Sequence, residues 1–272
     1  MNVLITNDDG IDASALPVLA RALVDAGHNV RIVAPHEGYS GCGASIGSVA
    51  EGHRVRVERV YLSGVTDIPS YAVVGPPALI VLAALQGRFG PCPDVVVTGP
   101  NSGLNLGPLV LHSGTLGAAL TAASNGVPAI ALSTEKSARH GYATASQFCQ
   151  KNLNNLVAAM EPYTVLNINV PDLPLDEVQG VRQTRLANRS LVEILLLDDD
   201  QQLQEGSESV NLRIELNHDD NRSLHMQWRS TLSEQDDTDA GAIVDGFISV
   251  TVVYGGLRHV DGHRLHASLQ AF

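Results

Sequence analysis

The sequence predicts an α/β protein with a Rossmann-like, doubly wound and mostly parallel sheet. Short apolar runs that suit buried strands alternate along the chain with stretches whose apolar residues recur at helical spacing. Ala, Val, Leu and Gly dominate the composition, which suits close packing of helices on a sheet. Several apolar runs end in loops rich in Gly and Ser. This alternation is typical of a parallel sheet covered by helices on both faces.

Each predicted element follows from a local pattern. The first helix, residues 13–26, places leucine and valine on one face and is followed by Gly27, a common stop signal. A loop from His36 to Ser48 follows the second strand, and a long Gly-rich loop follows the strand that begins after Pro93-Asp94. The predicted strands are 3–5, 30–33, 55–60, 71–74, 95–97, 127–132 and 165–170, and the helices are 13–26, 77–87, 114–125 and 141–160.

The last hundred residues have a different character. Strand-like stretches at 180–197, 211–216 and 224–228 precede an acidic, polar segment at 233–240, and 248–253 closes as a strand. We predict three regions: an α/β catalytic core over 1–175, an extended-hairpin excursion over 176–240, and a C-terminal strand and tail over 241–272. The acidic run Asp198-Asp199-Asp200 suits a solvated turn better than a metal site.

Charge and composition exclude some classes of protein. The 272 residues carry a formal net charge of −12, which argues against binding to a nucleic-acid duplex. Any phosphate site must then supply its own local positive field. No apolar run approaches the ~18 residues of a membrane span, and the N-terminus lacks a signal-peptide pattern. Three scattered cysteines suit a reduced compartment, so we expect a cytoplasmic protein with no membrane partner.

Two adjacent carboxylates, Asp8 and Asp9, follow the first predicted strand directly. The carboxyl ends of parallel strands are where ligands bind in open α/β sheets. Neighbouring carboxylates repel each other unless a cation lies beside them, and their hard oxygens suit Mg²⁺, Mn²⁺ or Ca²⁺. The alternative is an ordinary Asn-Asp-Asp-Gly turn with a helix cap.

Three more loops are predicted to reach the same edge of the sheet. Ser40 and Asn101 offer neutral oxygens that could complete a shell around a hard metal ion. Ser113-Gly114-Thr115 opens a predicted helix, where backbone N–H groups suit a phosphate oxygen, with Asn105 nearby in sequence. Taken singly, each also suits an ordinary role as a loop hydroxyl, a turn asparagine or a helix cap.

The ordered set of motifs resembles the SurE family of survival-protein nucleotidases over nearly the whole chain. The matching motifs are NDDG, APHEGYSG, GPNSGLNLG and SGTLGAA, followed by VLNINVP at 165–171 and TDAGAIVDGFISVT at 238–251. The resemblance implies a phosphohydrolase of nucleoside 5′- or 3′-monophosphates that holds one divalent cation per subunit. It implies metal ligation by Asp8, Asp9, Ser40 and Asn101, and a homodimer or dimer of dimers in which the C-terminal segment is exchanged between subunits.

Phosphate-ester chemistry gives these residues roles. Asp8 and Asp9 would anchor a dication, Mg²⁺ or Mn²⁺ with Ca²⁺ as a further occupant, and one of them could accept a proton from an attacking water. We expect the substrate or its phosphate to be held by Asn7, Asn105, Ser113, Gly114 and Thr115. Direct attack by water is favoured because no nucleophile elbow is evident, and a phosphoenzyme on Asp8 is the alternative.

Some positions depart from the family pattern. Pro108 and Leu109 replace an acidic pair, and Gly75-Pro76-Pro77-Ala78-Leu79 replaces a turn with polar followers. His112 stands where an aromatic residue is usual, either as a substitute wall of the pocket or as a new acid or base. Two other classes stay open: an α/β protein that binds a nucleotide diphosphate, and a family member that binds nucleotide without turnover or with altered specificity. The absence of GxGxxG and GxxxxGK[ST] weighs against the first.

Overall fold

The fold is a nine-stranded mixed sheet with helices on both faces, and a separate two-stranded hairpin. The computed structural model describes residues 1–48, 50, 52, 54–136, 138–188, 193–198, 212–217 and 237–256. The strands are β1 Asn2–Thr6, β2 Asn29–Pro35, β3 Val57–Val60, β4 Ser70–Val73, β5 Val95–Ser102, β6 Ala129–Thr134, β7 Thr164–Val170, β8 Val181–Thr184, β9 Glu193–Asp198, β10 Leu212–Asn217 and β11 Ile248–Tyr254. The helices are α1 Ala15–Asp25, α2 Pro77–Leu85, α3 Gly114–Ser124, α4 Gly141–Ala159 and α5 Asp239–Val244, with a 3-10 helix at Gly107–Leu111.

The strand order places a ligand crevice beside β1. The sheet runs β3-β4-β2-β1-β5-β6-β7-β11-β8, and every pairing from β4 to β7 is parallel. The chain first builds outward from β1 to β2 and β4, and then returns to add β5 on the other side of β1. The carboxyl ends of β1 and β5 therefore flank the switch point where doubly wound sheets bind ligands. The predicted fold class is confirmed.

Alternation along β1 explains why helices cover both faces. Val3 and Ile5 pack in the cluster formed with α1 and α4, whereas Leu4 packs in the opposite cluster with α2 and α3. All three side chains are fully buried. Successive strand side chains point to opposite faces, so a strand apolar at every position must be covered twice. Each such side chain contributes roughly 1.5–3 kcal/mol by leaving water.

Two elements differ from the expectations. β5 runs on to Ser102, because its pairing with β6 shifts after Thr98 and resumes at Asn101, opposite Ser133. The segment expected to be acidic and polar to residue 240 instead opens helix α5 at Asp239, where the Thr238 hydroxyl accepts a hydrogen bond from the Gly241 N–H over 3.1 Å. This capping signal was overlooked in the sequence.

The C-terminal region is partly integrated with the core. β8 pairs with β11 at the edge of the main sheet, although it lies within the segment expected to leave the core. β9 and β10 form the separate antiparallel hairpin and correspond to two of the expected strand-like stretches. The third stretch, 224–228, and the acidic positions 199–200 lie outside the described residues. The boundaries at 176 and 241 stay predictions. Over the described part of the chain, no helix is long and apolar enough to cross a membrane.

The three thiols differ in burial, which predicts their order of reaction. We expect Cys92, which is exposed, to react first with a thiol-specific disulfide reagent at mildly alkaline pH. Cys149 is buried in α4, and burial raises its pKa to about 12, so its reactive thiolate forms only after unfolding. Cys42, half-buried, should react at an intermediate rate.

The measurement is the time course of thiol modification with and without denaturant. Cys92→Ser serves as the control, because it should remove only the fast phase. Modification of Cys149 in the folded protein would contradict the packing of α4.

Candidate active site

A tight turn at the end of β1 places two carboxylates at the crevice. Asn7 is fully buried, and its side-chain Nδ2 donates a hydrogen bond to the Gly10 carbonyl over 2.9 Å. Gly10 has a φ of +99°, a conformation that side-chain-bearing residues rarely adopt. This turn ends the strand and leaves Asp8 and Asp9 between β1 and α1. The Asn7 Oδ1 is buried without a hydrogen-bond partner.

Asp8 is a buried carboxylate held by the start of α3. It is 3% exposed, and the Thr115 hydroxyl donates a hydrogen bond to its Oδ1. Its main-chain carbonyl accepts from the Tyr39 N–H over 2.7 Å, which ties the loop after β2 to the same turn. Burial raises the pKa of Asp8 and the charge of Asp9 raises it further, while the Thr115 hydrogen bond opposes both effects. The hydrogen bonds to Asp8 therefore offset only part of the cost of burying its charged form.

Asp9 contacts the end of β5. Its Oδ2 accepts a hydrogen bond from the Ser102 N–H over 3.0 Å, and burial raises its pKa. Among the described residues, no Lys, Arg or His forms an ion pair with Asp8 or Asp9. A hard dication beside the pair would offset both the burial cost and the mutual repulsion. The donor set thus fits a divalent cation.

Neutral oxygens also lie near this turn, and the described residues hold no group of three or more His, Cys, Asp or Glu side chains able to bind a metal. Asn101 is half-buried, and its Nδ2 donates to the Gly103 carbonyl over 2.7 Å, which leaves the side-chain oxygen as an acceptor. Ser40 is exposed and directly follows Tyr39, whose N–H binds the Asp8 carbonyl. Asn101 lies at the end of β5 and Ser40 on the loop after β2, and each of these segments contacts the carboxylate turn.

Glycines let α3 approach the carboxylates closely. A Cβ on Gly114 would lie 2.7 Å from Asp8 Cβ and 2.9 Å from the Cys42 sulfur. A Cβ on Gly117 would lie 2.2 Å from the Gly43 carbonyl oxygen. The first turn of α3 therefore packs directly on the loop after β2 and on Asp8, and only residues without a side chain fit at these two positions.

Two predicted phosphate-binding side chains are already engaged within the protein. Ser113 is the N-cap of α3, and its Oγ accepts from the Leu116 N–H over 3.0 Å. The Thr115 hydroxyl serves Asp8, and the Thr115 carbonyl accepts from the Thr98 hydroxyl over 2.8 Å. What remains for an anion here is the Ser113 hydroxyl proton and the Gly114 N–H, because the Thr115 N–H also donates to the Asp8 carboxylate.

Asn105 is held from below by strand β7. Its N–H donates to Asn169 Oδ1 over 2.8 Å, and its carbonyl accepts from Asn167 Nδ2 at 2.9 Å and Asn169 Nδ2 at 3.0 Å. Its own Nδ2 donates to the Ser133 hydroxyl over 2.8 Å. These contacts place Asn105, 7% exposed, with its amide nitrogen in the protein interior.

The structure brings the predicted carboxylates, Asn101, the Ser40 loop and the start of α3 to one edge of the sheet. Asn7 and Asn105 reach the same region, but their amide nitrogens bind within the protein. His112 is exposed, and its carbonyl accepts from the Gly43 N–H over 3.0 Å. Sequence reasoning missed the Ser102 N–H, Cys42, and the paired asparagines of β7, which are polar residues inside an otherwise apolar strand.

Comparison with known proteins identifies the family of this chain. The family model for "Survival protein SurE" matches residues 3–193. The chain belongs to the SurE family. Among SurE relatives, the 5′-nucleotidase SurE of Aeromonas hydrophila subsp. hydrophila is 33% identical over 256 residues, covering 92% of this chain and 91% of the relative. The 5′-nucleotidase SurE of Xanthomonas campestris pv. campestris is 34% identical over 274 residues, covering 98% and 93%.

Structural comparison supports the SurE fold. The crystal structure of the SurE protein from Aquifex aeolicus aligns with a TM-score of 0.74 at 23% identity, covering 100% of this chain and 99% of that one. The likeness extends over the full chain, so the SurE fold describes the molecule beyond the segment that the family model matches.

The burial of Asp9 predicts a gain in stability when its charge is removed. Burial raises the pKa of Asp9 in the folded protein above its value in the unfolded chain. The protonated carboxyl therefore makes its full contribution to the stability of the fold below the unfolded-state pKa, and this contribution is lost as pH rises through the folded-state pKa. In metal-free protein at neutral pH, Asp9→Asn removes this cost and keeps an oxygen for the Ser102 N–H. We expect the Tm to rise by about 2–4 °C, the shift that about 1 kcal/mol produces in a chain of this size.

The measurement is thermal unfolding of chelator-treated wild type and Asp9→Asn across acidic to neutral pH. The two curves should converge at acidic pH, where the wild-type carboxyl is protonated. A variant that is less stable at neutral pH would show that Asp9 is compensated within the protein.

Proposed function

We propose that this SurE-family chain is a divalent-metal-dependent phosphomonoesterase that hydrolyses nucleoside 5′- or 3′-monophosphates to nucleoside and phosphate. The observation that carries the proposal is the pair of adjacent carboxylates, Asp8 and Asp9, partly or fully buried without an ion-pair partner among the described residues. They lie at the switch point of the sheet, beside the N-terminus of α3. The relatives' name, 5′-nucleotidase, supports the choice of substrate.

The cation would be held by Asp8 and Asp9 with Ser40 and Asn101 as neutral ligands. Two carboxylates and two neutral oxygens suit Mg²⁺ or Mn²⁺, one ion per subunit, and also accept Ca²⁺. When bound, such an ion neutralises phosphoryl oxygens and lowers the pKa of a coordinated water. Because the two carboxylates are adjacent and partly or fully buried, their negative charges lie close together and attract the cation.

The protein's own groups hold and orient the ester. The Gly114 N–H at the start of α3 lacks a partner within the helix and suits an oxygen of the phosphoryl group, whereas the Thr115 N–H and hydroxyl both serve Asp8 before any ester binds. The Ser113 hydroxyl keeps a proton to donate while its oxygen caps the helix. Asn105 and Asn7 complete the proposed substrate-binding set.

A carboxylate is also needed to accept a proton from the attacking water. Asp9 is the better placed, since it is half-buried and one of its oxygens is fixed by a main-chain N–H, whereas Asp8 is deeply buried and bonded to Thr115. A phosphoenzyme on Asp8 is the competing route. Retention of configuration at phosphorus, measured with a chiral, isotopically labelled phosphate ester, would identify it, because two in-line displacements restore the configuration that a single attack by water inverts.

We place the enzyme in the cytoplasm. We expect a homodimer or a dimer of dimers, in which the subunits exchange their C-terminal segments. The residue changes at 76–79 and 108–112 adjoin the α3 loop and the turn before α2, so we expect them to alter the preference for the base.

Hydrolysis assays test the central proposal. Wild-type protein should release phosphate from AMP, GMP and p-nitrophenyl phosphate with Mn²⁺ or Mg²⁺, and chelation should abolish the release. Asp9→Asn should lower kcat by more than about 100-fold, because it removes both a metal ligand and the proton acceptor.

Asp67→Asn is the matched control, since Asp67 is an exposed carboxylate paired with Arg21 far from the β1 turn along the chain. It should keep wild-type activity. Tight nucleotide binding without phosphate release would contradict the hydrolase proposal and favour a binding protein of the same fold.

Glycine 114 gives a separate test of the metal site. Gly114→Ala places a methyl group within 2.7–2.9 Å of Asp8 and Cys42, so the Asp8 carboxylate must move. We expect Mn²⁺ affinity to fall by about tenfold or more, measured by calorimetry. Gly38→Ala is the control, because its Cβ would lie at an ordinary 3.9 Å from the Asp8 and Asp9 carbonyls. Equal Mn²⁺ affinity in the two variants would contradict the placement of the ion beside Asp8.

A further inference from the structure

A buried carboxylate outside the proposed site joins three separate segments. Asp239, at the start of α5, is fully buried. Its Oδ2 accepts a hydrogen bond from the Gly107 N–H over 2.9 Å. Its Oδ1 accepts from the Ala187 N–H and from the Ala240 N–H, each over 2.9 Å. Burying a charge is costly, and no described Lys, Arg or His forms an ion pair with Asp239, so its charge is stabilised by these three main-chain contacts.

The segment that Asp239 holds is also fixed from the other side. Asn167 and Asn169 of β7 bind the main chain of Asn105, as described above. Between these two attachments, Leu106 is 2% exposed and packs in a small apolar cluster with residues of α5 and the chain after β8, namely Ala187, Ala240 and Ile243. Residues 105–107 are thus clamped between β7 and α5.

This clamped segment leads directly to the phosphate-binding groups. The 3-10 helix begins at Gly107 and ends at Leu111, and the next residues are His112 and the N-cap Ser113 of α3. The position of Gly107 therefore determines where the chain enters α3. Asn101, in contrast, is held by the pairing of β5 with Ser133 of β6 and by its own bond to the Gly103 carbonyl, and neither contact involves Gly107.

We propose that Asp239 is a positioning residue that fixes the 105–107 segment, and through it the phosphate-binding start of α3, while leaving the metal ligands unaffected. The inference rests on the proposed phosphatase function. The same carboxylate also holds Ala187, where the chain leaves β8, next to the bridge between Arg185 and Thr238. Movement at the base of the C-terminal excursion is therefore coupled to the phosphate-binding groups.

The substitution Asp239→Asn breaks one hydrogen bond of this side chain and can keep the other two. The asparagine oxygen can keep the two bonds from Ala187 and Ala240, and its NH₂ group then faces the Gly107 N–H, so two donors oppose each other. The variant should release Gly107 while retaining the base of the excursion. Thr238→Ala is the matched control, since it removes the hydroxyl that caps α5 at Gly241 and leaves the Gly107 contact in place.

Three readouts are measured on the full chain. We expect the inhibition constant of inorganic phosphate against p-nitrophenyl phosphate to rise about tenfold in Asp239→Asn, with KM rising more than kcat falls. Mn²⁺ affinity should stay within about twofold of wild type, because no proposed ligand contacts Asp239. Amide hydrogen exchange should accelerate in a peptide spanning residues 104–111 and not in one spanning 2–12.

The outcomes distinguish this inference from the proposed function. Wild-type protein that neither hydrolyses phosphate esters nor binds phosphate overturns the function itself. An active wild type with an unchanged inhibition constant in Asp239→Asn overturns only the positioning role. A parallel loss of Mn²⁺ affinity, or an equal effect of Thr238→Ala, also overturns it, because either result indicates general loss of structure.

Discussion

The mutual repulsion of two adjacent, buried carboxylates is the constraint around which this structure is organised. Asp8 is 3% exposed and Asp9 is half-buried, in the turn between β1 and α1 at the carboxyl edge of the sheet. Asp8 receives the Thr115 hydroxyl and the main-chain N–H groups of Asp8 and Thr115, and Asp9 receives the Ser102 N–H. These hydrogen bonds do not replace the hydration of the two charges, so the pKa of both acids stays raised. A cation beside the pair, as proposed, would offset this remaining cost.

Close backbone approach is the second requirement, and it explains the small residues around the crevice. Gly114 and Gly117 let α3 contact Asp8 and the loop after β2. Gly99 has a φ of +112°, and a Cβ there would lie 2.1 Å from the Leu132 carbonyl oxygen. That conformation accompanies the register shift that extends β5 to Asn101 and Ser102. Three strand and helix ends can thus meet within the reach of one small ion.

Local patterns predicted most of the fold, because the sheet is built from strands that are apolar at every position. The strand that contains Leu4 carries consecutive apolar residues, so helices must cover both faces of the sheet. The alternation of strands and helices along the chain predicts parallel pairing of the strands. Helix α5 was missed because six residues carry too little periodicity, and only Thr238 signalled it. The longer β5 depends on a register shift with β6, which no local pattern specifies.

The site was predicted less completely, for the same physical reason. Adjacent acids after a strand and a Ser-Gly-Thr helix start are local signals, and both reach the predicted edge of the sheet. The Thr115 hydroxyl was expected to face a substrate, but it binds Asp8, and this partner is distant in sequence. The contact of Asp239 with Gly107 spans an even larger separation. Spacing along the chain carries no information about such pairs.

The C-terminal excursion begins and ends at two residues that lie side by side, and this has an evolutionary consequence. The chain leaves at Arg185 and comes back at Thr238, and these two residues form a β-bridge, with the Asp239 N–H donating to the Arg185 carbonyl over 2.9 Å. An insertion whose two ends are already joined can lengthen or shorten at small entropic cost to the remainder of the molecule. Descendants of this chain can therefore change the length and sequence of this segment without redesigning the sheet edge that carries Asp8 and Asp9.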